Sequence, residues 1–162
     1  MRKIAVWLLL PIVVLSGCVR SEKTDMVLFC KEFNARSAET EIAESDAMRR
    51  SESEILLTAG EVLIRLQTEE DGAVSTAILT ADAKHRQALA GAARTAFSVL
   101  ADPLGDSVPE TFLSAVEQGN PQILQADTPY FRYLLYGNEE AVTVQQIALL
   151  QVSLSAPPSL RP

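Results

Sequence analysis

Residues able to do chemistry are few in this chain. The single histidine, His85, follows Asp82 by three positions and is followed by Arg86. On a helix, an Asp at that spacing can orient an imidazole as a general base, and Ser and Thr nucleophiles are plentiful. The same pair is what any helix shows where its apolar side meets water, and that boundary role is the reading adopted. Glu69, Glu70 and Asp71 form an acidic run ending at Gly72. Glycosidase carboxylates face each other across a cleft, which neighbours in a turn do not, so a solvated acidic turn is expected. The sequence has no Gly-x-Ser-x-Gly, no Gly-rich phosphate loop, no His-Glu-x-x-His and no dinucleotide fingerprint. One His and two Cys make no four-ligand zinc site without several carboxylates. The expectation is a protein with no catalytic residues, no metal and no cofactor.

The most informative cluster is Tyr130-Phe131-Arg132-Tyr133-Leu134-Leu135-Tyr136, which holds every tyrosine of the chain. Tyr and Arg combine contact area with a polar tip and are enriched where proteins bind each other. As a helix, one side of this segment must enter the core. Arg132 and Tyr136 point away from the apolar sides, and Phe131 and Leu135 belong inside. Tyr130, Arg132, Tyr133 and Tyr136 are the candidate partner-binding residues.

Arg2 and Lys3 precede an apolar run from Ile4 to Leu15, and Leu15-Ser16-Gly17-Cys18 follows. The uncharged stretch Ile4–Val19 has 16 residues. That is about 24 Å as a helix, short of the roughly 30 Å hydrocarbon core, so a cleaved signal is expected rather than a permanent span. The segment resembles the start of bacterial lipoprotein precursors, with Leu15-Ser16-Gly17-Cys18 matching their lipobox. The resemblance implies cleavage after Gly17, diacylation of the Cys18 sulfur and acylation of the new amine. Several acyl chains, at about 0.8 kcal/mol per CH₂, make a lasting anchor in a bilayer. In Gram-negative members an Asp after the lipidated Cys retains the protein in the inner membrane. Val19 stands there instead, which points to the inner leaflet of the outer membrane, facing the periplasm. With Cys18 lipidated, Cys30 is left as a lone thiol and is read as a buried small hydrophobe on a short helix.

The elements expected to carry these residues are helices. Met26, Phe29, Cys30 and Phe33 recur at helical spacing within 24–34, and 35–54 reads as a polar, exposed, largely helical spacer. Ser51-Glu52-Ser53-Glu54 is a capping box before Ile55, Ala59, Val62, Leu63 and Leu66. Residues 73–101 read as the strongest helix, 107–119 as another opened by a second capping box, and 130–136 and 139–154 as two more. The organisation expected is a signal peptide at 1–17, a lipidated N-terminus with short helix and acidic spacer at 18–54, a helical domain at 55–154 and a Pro-rich tail at 155–162. The fold expected is all-α, a small helical bundle tethered to the membrane. The alternative is α+β, with a hairpin at 61–79 around the acidic turn and a strand at 141–154, where Val142, Val144, Ala148, Leu150, Val152 and Leu154 alternate.

The net charge of −7 becomes −9 once Arg2 and Lys3 are removed with the signal. An acidic chain repels phosphate backbones, so nucleic acid is not an expected partner. The partners expected are a lipid bilayer, through Cys18, and an envelope protein. The function expected is a binding or assembly factor, a pilot or scaffold for an envelope complex. In size, anchor and helix content the chain is similar to the helical pilotin lipoproteins of secretion systems, although the cysteine pair common there is missing. An exclusion or immunity lipoprotein is the second reading, and a small envelope enzyme the third.

Overall fold

A computed structural model describes residues 24–43, 47–119 and 124–149. The chain begins with α1, Met26–Arg36, capped by Asp25, whose carboxylate accepts a 2.8 Å bond from the Leu28 amide. Phe29, Cys30 and Phe33 on its apolar side are buried, as their spacing requires. Four strands follow: β1 (Met48–Ser51), β2 (Glu54–Ala59), β3 (Val62–Thr68) and β4 (Val74–Asp82). Gly60, with φ +56°, opens the two-residue loop between β2 and β3, the position where such a hairpin needs a left-handed backbone. A 3₁₀ turn at Ala83–His85 leads into α2, Arg86–Ala101, and then comes α3, Glu110–Gln118. The strands β5 (Leu124–Asp127), β6 (Phe131–Gly137) and β7 (Ala141–Ala148) complete the regular structure of the described residues.

All seven strands join one antiparallel sheet in the order β1-β2-β3-β4-β7-β6-β5. The chain thus builds one wing outside-in, crosses over through α2 and α3, and builds the other wing from the opposite edge. The two wings meet where β4 pairs with β7, from Thr76↔Ile147 to Asp82↔Ala141.

The three helices lie on one side of the sheet. α2 is buried nearly all round, because Ala90, Ala92, Ala93 and Ala96 let its backbone approach both the sheet and its neighbouring helices. Beneath it, Leu57, Ile64, Leu66, Leu79 and Val144 point inward and are fully or almost fully covered. Phe97, Phe112, Phe131 and Tyr133 form an aromatic cluster between α2, α3 and β6, with Tyr133 5.7 Å from Phe97 and 5.6 Å from Phe112, centroid to centroid. One polar side chain is sealed in with them. Gln146 donates from Nε2 to the Phe97 carbonyl and to the Tyr133 hydroxyl, each at 3.2 Å.

The fold is therefore α+β and not an all-α bundle. The helices expected at 24–34 and 107–119 form, and the second ends at Gly119, whose φ of +69° supplies the left-handed cap. The helix expected at 73–101 forms only from Arg86, its first third being β4. The segments following Ser51-Glu52-Ser53-Glu54, and those at 130–136 and 139–154, are strands where described. The spacer at 35–54 supplies the edge strand β1 instead of a helix. The alternative hairpin is β3 and β4, joined by the Glu69-Glu70-Asp71-Gly72 turn. Its alternating segment is β7, which ends at Ala148, and residues 150–154 lie outside the described part.

The physical reason lies on the outer face. Leu56, Leu63, Ile78 and Leu134 sit at outward positions of β2, β3, β4 and β6. Apolar residues on both faces blur the period of two, and Ile55, Ala59, Val62, Leu63 and Leu66 then fit a helical period equally well.

Candidate functional site

Among the described residues, nothing covers the second face of the sheet. Cross-strand register arranges its outward side chains in three rows. The first runs Thr58, Leu63, Thr80, Thr143, Tyr136. The second runs Met48, Leu56, Arg65, Ile78, Gln145, Leu134, Gln125, and the third Glu54, Gln67, Thr76, Ile147, Arg132, Asp127. Leu63 is 39% exposed, Tyr136 38% and Met48 62%. At the centre the Thr80 and Thr143 hydroxyls lie 3.1 Å apart.

Charges on this face are paired within it. Arg65 Nε meets Glu54 at 3.0 Å on one wing, and Arg132 Nε meets Asp127 at 3.0 Å on the other. The hydrogen bond from Arg132, with its charge, holds the Asp127 carboxyl below the usual carboxylate range. Glu54, Arg65, Asp127 and Arg132 therefore sum to zero, and Asp82, at the outward end of β4, lies 3.5 Å from Lys84. A sheet face with aliphatic side chains, amides, hydroxyls and two closed ion pairs can exclude water against another protein surface without stranding those charges.

Strand geometry separates the four tyrosine-segment candidates. Arg132 and Tyr136 lie on the outer face. Tyr133 alternates inward and is fully buried, so it belongs to the aromatic cluster and not to a surface. Burial pushes its hydroxyl up to about 12. Tyr130, in the β5–β6 turn, is half-buried and lines a hollow with Leu104, Ile147 and Leu149 at the end of the sheet. Phe131 and Leu135 are core residues, as expected, although on a strand rather than a helix. Gly17 and Cys18 lie outside the described residues.

Sequence reasoning missed Leu56, Leu63, Ile78 and Ile147 as members of one surface. The available signal was the apolar residue at the wrong parity of each alternating run.

The chain matches no protein-family model, no curated protein and no solved structure.

Other candidates for chemistry do not converge. Asp82 lies 3.5 Å from Lys84 Nζ, so its near ion-pair partner is that lysine and not His85, which ends the 3₁₀ turn instead of sitting on a helix stripe. The Glu69–Asp71 turn shares an open hollow with Asp25 and Glu52, yet among the described residues no three His, Cys, Asp or Glu side chains group as a metal site. A cleft of about 260 Å³ lies where β4 and β7 part, lined by Val74, Leu100, Leu104, Phe131 and Ala148. Thr24 stands in its wall, its carbonyl accepting 2.8 Å from the Val74 amide, and Leu149 continues β7 close by. Among the described residues no helix is long and apolar enough to cross a membrane.

Proposed function

We propose that this chain is a lipoprotein, anchored through acylated Cys18 to the inner leaflet of the outer membrane, and that it works by holding a protein partner against the outer face of its sheet. The observation behind this reading is that face: aliphatic side chains on adjacent strands, two self-contained ion pairs and no described element covering it. An uncovered sheet face suits contact with another folded surface. With the sheet in place of a helical bundle, likeness to helical pilotins carries no further weight. The contact-blocking role of an exclusion or immunity lipoprotein is the form of binding this surface suits best. The acidic charge favours neither nucleic acid nor an anionic surface.

Two measurements test the reading. Palmitate labelling should vanish in Cys18→Ser, and persistent labelling would remove the anchor. Crosslinking in intact membranes should recover a protein partner from the native chain. Ile78→Arg, at the middle of the face, should lose that partner while far-UV circular dichroism and the melting curve stay close to native. Full partner recovery by a folded Ile78→Arg variant would show that the outer face is not the site.

A further inference from the structure

The cleft of about 260 Å³ between β4 and β7 lies where the described chain stops. Ala73, Val74, Leu100, Leu104, Phe131 and Ala148 give it an apolar wall. The hollow beside it, with Tyr130, Ile147 and Leu149 in its wall, shares Leu104 and Ala148 with the cleft, so the two adjoin at the end of β7. Leu104 closes the 3₁₀ turn Asp102–Leu104 after α2 and is 38% exposed there. β7 is held to β6 as far as Leu149, whose amide donates to the Tyr130 carbonyl at 2.8 Å. The register that pairs Thr76 with Ile147 would set Leu149 opposite Val74 on the other side. The Val74 amide is already taken by the Thr24 carbonyl, so the chain that follows Leu149 is delivered to the mouth of the cleft.

The sequence of that chain suits the hollow. Val142, Val144, Gln146 and Ala148 are the inward positions of β7. The same parity continues through Leu150, Val152 and Leu154, with Gln151, Ser153 and Ser155 between them, the pattern of a half-buried strand. We propose that residues 150–154 of this chain occupy the cleft as a continuation of β7, with Leu150 and Val152 against Leu100, Leu104 and Phe131, and Gln151 and Ser153 toward water. Size agrees: a cavity of roughly 150 Å³ lined by such side chains takes one benzene-sized group, so this one takes about two aliphatic side chains. Charge agrees as well. Residues 150–154 bring no charge into the cleft, and Arg161, the only charge in 150–162, is opposite in sign to Glu69, Glu70 and Asp71 at the rim. Pro157 and Pro158 donate no amide hydrogen, so the strand ends before them. A segment already joined to Leu149 acts at high effective concentration, which favours it over any separate molecule for so small a hollow. Neither the proposed anchor nor the outer face is needed for this inference.

The experiment labels single cysteines in the full chain with a maleimide, counted over the native chain, whose Cys30 is buried. Leu150→Cys and Val152→Cys should react roughly tenfold more slowly than Gln151→Cys and Ser153→Cys, the protection of a segment docked about nine-tenths of the time. Adding Leu104→Arg, at an exposed position, should make all four react equally fast while circular dichroism stays native. Leu104→Ser takes its place if the arginine chain does not fold. Protection retained in the folded Leu104 variant would put the segment elsewhere and overturn the inference. Four equal rates without that variant, all fast or all slow, would overturn it as well. Protection that fades on dilution would assign the segment to another molecule, with the same result. Four fast rates beside a shielded Leu104→Cys, released in Cys18→Ser, would give the cleft to an acyl chain instead.

Discussion

The two faces of the sheet are made of similar residues and differ in what lies on them. On the inner face Leu57, Ile64, Leu79 and Val144 are covered by α1, α2 and α3. On the outer face, one residue earlier on β2, β3 and β4, Leu56, Leu63 and Ile78 stand with Leu134 of β6 among threonines, glutamines and two ion pairs. Hydropathy alone does not distinguish a core from a contact surface. What distinguishes them is the treatment of polar groups: Gln146 inside bonds a carbonyl and a hydroxyl through its Nε2, while Arg65 with Glu54 and Arg132 with Asp127 pair at the solvent-facing outer surface.

Changes on the two faces should separate by size. The largest effect is expected at Phe97, which touches α3 and β6 through Phe112 and Tyr133. Phe97→Ala should cost about 3–5 kcal/mol, read as a shift of the urea midpoint, because the cluster around it cannot collapse. A loss near 1 kcal/mol would mean that the inner face is loosely packed and that the contrast fails.

Next comes Tyr133. Burial raises its folded-state pKa to about 12, above the value near 10 of an exposed tyrosine. The folded state then keeps a proton that the unfolded chain gives up. Its contribution is complete below pH 10 and falls through pH 12, by roughly 2–3 kcal/mol at 1.36 kcal/mol per unit. Ultraviolet titration should show one phenolate forming near 12 together with the loss of near-UV dichroism. Its ionising near 10 in the folded chain would place Tyr133 in water. The smallest effect is expected outside: Ile78→Ala, on the half-buried outer face, should cost about 1 kcal/mol or less while weakening partner recovery. A loss as large as that of Phe97→Ala would mean that the outer face is also a core.

Legibility of the fold followed the same division. α1 and α3 could be read because their apolar residues fall on one side and their ends are marked by Asp25 and Gly119. The β3–β4 hairpin was visible as an alternative through its acidic turn. The remaining strands carry a helical pattern because apolar outward residues add to the inward set, and Ser51-Glu52-Ser53-Glu54 has the form of a cap while making a tight turn between β1 and β2. Pairing between β4 and β7, 63 residues apart at the Thr80–Thr143 contact, leaves no local trace. Arg132 and Tyr136 emerged as surface residues even from a helical reading, since each lies next in sequence to a core residue in either geometry. Tyr133 did not, because only a period of two places it beside Phe131 and Leu135.

Thr24 bonds Val74 in the gap where the two wings part, and the chain beyond β7 leaves from the same end of the sheet. Cys18 precedes Thr24 by six residues. Under the anchor proposed at Cys18, the end of the sheet that carries Thr24 and the start of β4 would be tethered nearest the lipid. Asp25, Glu52, Glu69, Glu70 and Asp71 gather at that end, which anionic headgroups would repel. With that anchor, the search for a protein partner would be confined to two dimensions along the bilayer.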